Sequence, residues 1–323
     1  MKDKVYATVD LGGSKIYTVL STSCGERLSS YKEKTQAAAS TDLVLDQITH
    51  SVLTVLGKAG CSRSRLSAVG VCVAGFFDCK ERIIVNSPNL RGWVNIQLEK
   101  ELSKRLGVTV LAENDANAAA IGEVKYGAGR GFRDAVFITV STGIGAGLVL
   151  DNKIYRGTRG FAGEIGHMEV NPGGLNCGCG LKGCLETISS GKAMTRAVRE
   201  AVSKNKNTVL RQLVNDNSLL ASHIFAAAEK GDRVASEIIC QALYYLGIGL
   251  VNIINLLNPE VIIIGGGVAE AGESLLAPLR DSVNSKALAA SAASVIIKKA
   301  ELGVEAGVIG MLSLLQEHSI SKD

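Results

Sequence analysis

The 323-residue chain has no apolar signal segment after Met1-Lys-Asp-Lys-Val, no low-complexity linker, and no apolar run judged to reach the roughly 18 residues of a membrane span. The expectation is a cytoplasmic protein with no membrane partner. No Gly-x-x-x-x-Gly-Lys-Ser/Thr occurs, which excludes a P-loop. No His-Glu-x-x-His occurs either, which disfavours the hydrolytic zinc enzymes. Concentrated positive charge is also missing. The 35 Lys and Arg against 31 Asp and Glu leave a dispersed +4, unlike the basic footprint of a nucleic-acid binder.

A hydrophobic content of 46% with 20% charge is that of a globular chain, and the length exceeds the usual single domain, so two domains and a cleft are expected. The 36 glycines are the anomaly. They cluster at Gly12-Gly13, at Gly143, Gly145 and Gly147, between Gly178 and Gly183, and at Gly265-Gly266-Gly267, where backbone must approach something closely.

Three thiols and one imidazole stand out. His167 precedes Cys177-Gly-Cys179-Gly-Leu-Lys-Gly-Cys184, a spacing whose glycines let the backbone aim every donor inward, as in a closed structural zinc site. Four protein ligands leave no position for a metal-bound water, so such a zinc would shape a loop and the chemistry would sit beside it. Glu164 and Glu186 flank the ligands and are the first carboxylates to consider. A disulfide framework is not expected in a reducing compartment. Cys24, Cys61, Cys72 and Cys240 are read as scattered among apolar neighbours without partners at ligand spacing, Cys79 follows a turn-like Phe-Phe-Asp, and all five are read as structural.

Along the chain, Val5–Asp10 and Ile16–Leu20 read as a hairpin turning at Gly12-Gly13. The plan recurs, coarsely, at Ala135–Val140, with Ser141-Thr-Gly-Ile-Gly-Ala-Gly147 as the turn and Leu148–Leu150 as the returning strand. Between them come helices over 42–56 and 96–106 and strands over 66–74 and 108–112; after the cysteine loop come a long helix near 235–257, a buried strand over 261–264 and a last helix over 304–315. The order is alternating α/β. The domain boundary is expected near Asn114–Ala116, which gives a smaller lobe over residues 1–115 completed by the C-terminal helix (about 304–323) and a larger lobe over 116–303. Apolar helices near 235–257 suggest a homodimer or a higher homo-oligomer.

Two glycine turns in separate halves, each with a hydroxyl residue (Ser14, Thr142), suit a nucleotide triphosphate held between lobes, because bare backbone N–H groups reach phosphate oxygens. Each alone is more often just a tight turn. Asp10, at a strand end, is placed to hold magnesium through water. Gly143-Ile-Gly145-Ala-Gly147 is not a dinucleotide fingerprint, since it opens no helix. Glu113-Asn114-Asp115 follows a strand and opens a helix running to about Tyr126; one of its residues would cap that helix, and a carboxylate there is kept ionised by the helix dipole, a base of low intrinsic strength.

These residues together resemble the ROK sugar kinases of the actin and hexokinase superfamily, over nearly the whole chain. Glu164-Ile-Gly-His167 with Cys177 to Glu186 resembles the family's signature, Asp10-Leu-Gly-Gly-Ser14-Lys15 its first phosphate motif with serine for the commoner threonine, Ser141-Thr142-Gly143 its second, and Gly265-Gly266-Gly267 its adenosine motif. The resemblance implies a two-lobed, actin-like and hexokinase-like ATPase fold with a central cleft and a zinc-bound loop. It implies ATP, Mg2+ and structural Zn2+ as cofactors. It makes Asp115 the base, Asn89, Asn114, Asp115, Glu164, His167 and Glu186 the sugar contacts, and His167, Cys177, Cys179 and Cys184 the zinc ligands. Within the family the chain looks most like the bacterial glucokinases; fructose, N-acetylglucosamine, N-acetylmannosamine and allose kinases share the skeleton. The family's repressors carry a helix-turn-helix head of several dozen residues, which is not expected where the first strand begins by Val5. A non-catalytic nucleotide-binding scaffold would have no need of Asn114-Asp115 or the zinc loop.

Overall fold

The computed structural model describes residues 4–320. β1 (Val5–Leu11) and β2 (Lys15–Thr22) pair antiparallel with Leu11 opposite Ile16, so the chain reverses over Gly12-Gly13-Ser14. β3 (Arg27–Lys34), which the sequence pattern did not suggest, adds to the outer side of β2. α1 (Thr41–Lys58) starts where the Ser40 hydroxyl accepts the Leu43 N–H, and it delivers the chain to β4 (Leu66–Val73), parallel to β1. Next, β5 (Phe76–Asp78), β6 (Ile83–Asn86) and β7 (Val94–Ile96) form a small antiparallel sheet. α2 (Leu98–Leu106) then precedes β8 (Thr109–Asn114), parallel to β4. Ile96 belongs to β7 because it pairs with Ile84, so the helix expected from residue 96 begins two residues later.

The second half repeats this plan. α3 (Asp115–Tyr126) leads into β9 (Ala135–Val140), β10 (Ile144–Leu150) and β11 (Lys153–Tyr155), an antiparallel meander. After the cysteine loop come α4 (Glu186–Ser189), α5 (Gly191–Ser203), α6 (Arg211–Asn215), α7 (Ala221–Glu229) and α8 (Arg233–Leu257). β12 (Val261–Gly265) runs parallel to β9, and α9 (Glu273–Lys286) and α10 (Ala289–Ser294) bring in β13 (Ile296–Lys299), parallel to β12. The sheet orders are β3-β2-β1-β4-β8 and β11-β10-β9-β12-β13. Each is a three-stranded meander extended by two parallel strands, which bears out the internal repeat.

Each sheet buries one face against its own helices. Val9, Leu20, Ile48, Val52 and Leu102 share one core, and Ile138, Leu185, Leu246, Leu250 and Ile264 share the other. α8 contains a charge-free run from Ile238 to Leu257, and the helix is long and apolar enough to cross a membrane by length and composition alone, with an 18-residue window of mean hydropathy 1.6 of which 56% is buried in the protein. It corrects the expectation that no run is that long. The helix packs on α4, α5, α7 and α9, so its apolar length serves the core.

The opposite faces of the two sheets are spanned by α3 and by α11 (Ala306–Ile320). α11 lies on β1 and β4, α3 lies on β9 and β10, and the two helices pack on each other. Their contact is backbone-close: a Cβ on Gly310 would stand 1.8 Å from the Ala118 carbonyl oxygen, and one on Gly122 would stand 2.4 Å from that of Ala306. The alanine run of α3 thus serves this crossing as well as helix propensity. Residues 321–323 of the expected last helix lie outside the described residues.

Candidate active site

The candidate residues come from the ends of β1, β8 and β9, from the 3-10 turn after β11 and from the start of α4. Asp10 lies near the end of β1, half-buried, with Lys15 Nζ 4.0 Å from Oδ2 and the Cys72 thiol donating to Oδ1 at 3.8 Å. Burial raises its pKa, and the nearby Lys15 charge and the Cys72 thiol offset part of that. The Gly12-Gly13-Ser14 turn closes with the Gly12 amide on the Lys15 carbonyl, and Thr35 braces it by donating its hydroxyl to the Gly12 carbonyl (2.7 Å). Asn89 presses on this turn, since a Cβ at Gly13 would meet both its Cβ and its carbonyl oxygen at 2.8 Å. Ser14 is exposed at the tip.

The second turn is shorter than expected. β10 begins at Ile144, so only Ser141-Thr142-Gly143 reverse the chain, and Gly145 and Gly147 are strand residues. The reason is α3 passing overhead: a Cβ on Gly147 would lie 2.5 Å from the Ala120 Cβ and 2.6 Å from the Ala116 oxygen. Gly143 is needed for a different neighbour. Glu186 Oε2 accepts the Ile144 N–H (2.9 Å) and would stand 2.3 Å from a Cβ at Gly143. The Gly191 amide, at the start of α5, donates to the Ser141 carbonyl (2.7 Å). Of the glycine triplet, Gly265 abuts the Phe137 ring and Gly266, with φ +84°, abuts the Val140 carbonyl beside this turn; Gly267 alone meets nothing within 4 Å.

At the start of α3 the two polar roles divide. Asn114 is the cap: Oδ1 accepts the Ala116 and Asn117 N–H groups (2.9 and 3.1 Å), and Nδ2 donates to the Gly75 carbonyl (3.1 Å). Asp115 is therefore not needed as a cap. Its carboxyl is pushed up to about 6, first by burial and then by the Asp10 charge, while the Ala116 N–H pulls the other way. The expected weak base, held down by the helix dipole, is thus corrected: desolvation and a like charge outweigh the dipole.

Glu164 continues the row. Burial raises it to about 7, with the charges of Asp115 and Glu186 adding to the effect. Asp10, Asp115, Glu164 and Glu186 thus form a row of carboxylates in which Asp115 feels the charge of Asp10 and Glu164 feels those of Asp115 and Glu186, with the Lys15 ammonium beside Asp10. Such a cluster suits a bound cation and hydroxyl donors.

His167 ends the 3-10 turn after Glu164, and its ring lies 6.1 Å from that of Phe76, which in turn packs edge-on against Phe161. His167, Cys177, Cys179 and Cys184 offer donor atoms that all lie within 4.8 Å of one another, and the cluster could hold a metal ion. Cys177 Sγ is 3.6 Å from His167 Nδ1, and Cys179 Sγ is 3.8 Å from Cys184 Sγ. Tetrahedral corners about 2.3 Å from a zinc ion stand roughly 3.8 Å apart, so the donors fit zinc. Nδ1 is the metal-facing nitrogen, which leaves Nε2 for another partner. Of the five remaining cysteines, Cys61 and Cys72 are buried as expected, but Cys24 and Cys240 are exposed and Cys79 is half-buried. Cys240 has apolar sequence neighbours but lies on the outer side of α8, and Cys24 lies in the polar segment Ser21-Thr-Ser-Cys-Gly-Glu that turns from β2 to β3, which corrects the reading of both as structural packing residues.

The chain as a whole matches the ROK family over residues 6–318. It belongs to that family. It is 36% identical to a glucokinase of Halalkalibacterium halodurans, covering 100% of this chain and 98% of that protein. A ROK family glucokinase from Streptomyces griseus, solved in complex with glucose and AMPPNP, superposes with a TM-score of 0.82 at 34% identity, over 96% of this chain and 98% of that one. The family also reaches regulators: a xylose repressor of Caldicellulosiruptor bescii is 29% identical over 97% of this chain and 78% of its own length. Mixed α/β architecture, two related sheets and the metal-competent Cys/His loop agree with the expected ROK fold. These similarities support a sugar kinase of this family.

Proposed function

We propose that the protein transfers the γ-phosphoryl group of Mg-ATP to the 6-hydroxyl of a hexose, with glucose as the first substrate. The observation that carries the reading is Asp115, which is freed from capping by Asn114 and tuned to about 6, so that it is largely ionised at neutral pH yet more basic than an ordinary carboxylate. The 6-oxygen attacks the γ-phosphorus and its O–H proton passes to an Asp115 carboxylate oxygen. The bond from phosphorus to the β,γ-bridging oxygen breaks, and its electron pair leaves with ADP. In a loose transition state of this kind, positioning and charge neutralisation carry most of the acceleration.

Residues 1–115 with the C-terminal helix would form one lobe, and 116–303 the other. Gly12, Gly13, Ser14 and Lys15 from the first, and Thr142 and Gly143 from the second, would receive the phosphates. The segment from Gly265 to Gly267 would lie along the adenosine. Asp10 would hold Mg2+, which supplies neutralisation of the phosphate charge. Asn89, Asn114, Glu164, His167 and Glu186 would contact the sugar hydroxyls, and a site that hydrogen-bonds each hydroxyl strongly rejects sugars lacking one. Zinc at His167, Cys177, Cys179 and Cys184 would fix the tautomer and aim of the imidazole. Closure of the lobes on the sugar would exclude water, a smaller nucleophile. ATP as donor and reduced thiols fit a cytoplasmic setting.

The test is a coupled assay for ADP over a panel of hexoses and N-acetylhexosamines with Mg-ATP, followed by location of the phosphate on the product. Glucose turnover with a 6-phosphate product is expected. Turnover favouring another sugar of the panel would correct the substrate, and hexose binding without any turnover would support a non-catalytic sugar sensor.

A further inference from the structure

Glu113 has no role in the reaction above, yet its side chain is only 4% exposed. Its Oε1 accepts the Asn114 backbone N–H and the Asn117 Nδ2–H, both at 3.0 Å. Its Oε2 accepts Arg156 Nε at 2.7 Å and Arg156 Nη2 at 2.7 Å. Asn117 Oδ1 is buried without a partner, so Glu113 is the anchor of that amide. Arg156 directly follows β11, in the other half of the chain, and begins the segment that reaches Glu164 and His167. One guanidinium therefore ties the backbone entering Asp115 to the loop carrying the sugar-facing carboxylate.

We propose that Arg156 is a positioning residue that acts through Glu113: its fork fixes the Asn114 amide and the first turn of α3, and with them the aim of the Asp115 carboxylate relative to the Glu164–His167 loop. This rests on the sugar-kinase reading. The chemistry is that of a charge-assisted hydrogen-bond network, in which a planar fork holds one carboxylate oxygen while the second oxygen holds the catalytic turn. Without the cation, Glu113 is a buried carboxylate two residues from Asp115. Its charge is then uncompensated and repels Asp115, and the first turn of α3 loses the fork that held it through Glu113.

The molecule contains its own comparison. Arg159, three residues on, donates Nε to Asp78 Oδ2 at 2.6 Å, and Asp78 is fully buried and accepts the Lys80 and Glu81 amides at 3.0 and 3.1 Å. Both arginines leave the same segment and end on a buried carboxylate of the first half of the chain. Only the Arg156 partner is bonded to the turn that carries Asp115.

The experiment compares Arg156→Gln, Arg156→Lys and Arg159→Gln in the full-length protein, with steady-state kinetics over pH, melting temperature and zinc content. Wild-type turnover on a hexose establishes the reading first; a wild type inactive on every hexose removes the reading and this proposal together. Given an active wild type, Arg156→Gln is expected to lower kcat about 10- to 100-fold, the scale of a misplacement near 1 Å, with KM for ATP within about threefold. The acid limb of its kcat profile should move to higher pH, since the Glu113 charge is no longer neutralised. Arg156→Lys, which keeps the charge but not the fork, should give an intermediate kcat with the limb where it is in wild type. Arg159→Gln should lower the melting temperature comparably and leave kcat within about threefold. Equal kcat losses in the two glutamine variants would overturn the proposal, as would a lysine variant with wild-type kcat.

Discussion

Asp115→Asn separates charge from shape. Asparagine keeps an oxygen to accept the Ala116 N–H, which Asp115 Oδ1 now receives at 2.9 Å, and it removes only the negative charge. The folded-state pKa lies above the ordinary value, 3.8 going to about 6, so the folded protein holds this proton more tightly than the unfolded chain does. Stability from this group is therefore full below pH 3.8 and is lost as pH rises through about 6. The gap corresponds to a ceiling of about 3 kcal/mol at 1.36 kcal/mol per pH unit. Asp115 is half-buried and water screens it, so the expected gain on removing the charge is about 1–2 kcal/mol at pH 8. Thermal denaturation of wild type and variant, without sugar or nucleotide, should give coincident melting temperatures near pH 4 and a variant a few degrees more stable at pH 8. Turnover should fall about 10²- to 10⁴-fold, with sugar binding by calorimetry retained. A variant that is no more stable at pH 8 would refute the electrostatics, and near-normal turnover would refute the base.

Three other substitutions probe the remaining links. Cys179→Ser should lose zinc by elemental analysis and weaken sugar affinity about tenfold or more, because the imidazole loses its brace; a metal-free wild type would end that expectation. In Gly143→Ala the new Cβ would stand 2.3 Å from Glu186 Oε2, so the carboxylate must leave the Ile144 amide. The expected result is kcat/KM down about tenfold with zinc retained, and a crystal structure showing Glu186 unmoved would contradict it. Gly310→Ala places a Cβ 1.8 Å from the backbone oxygen of Ala118, and neither helix can yield locally. Unfolding by denaturant should show a loss of about 3 kcal/mol or more, and a wild-type midpoint would mean that the α3–α11 crossing is looser than drawn.

The zinc-type loop was legible because ligand chemistry demands particular residue types at short spacing, and His167, Cys177, Cys179 and Cys184 do converge. The hairpins, a helix cap within Asn114-Asp115 and the repeated sheet plan were legible because turn glycines, β-branched runs and capping residues act locally, while the choice of Asn114 as the cap came from the structure. The glycine cluster at 143–147 was misread in part, since Gly145 and Gly147 answer to a helix passing over the strand, which no local pattern encodes. β3 and the small sheet escaped notice because their residues are largely half-buried or exposed and carry little apolar alternation, so that pairing with the neighbouring strand decides their form.

Sequence by itself thus determined the family, the alternating elements and the chemical identity of the cluster, all of which are written in side-chain type and short spacing. Tertiary structure alone decided the raised pKa of Asp115 and the pairing of Glu113 with Arg156. The physical reason is that desolvation and charge–charge interaction depend on distances through space between segments tens of residues apart, and the fold sets those distances.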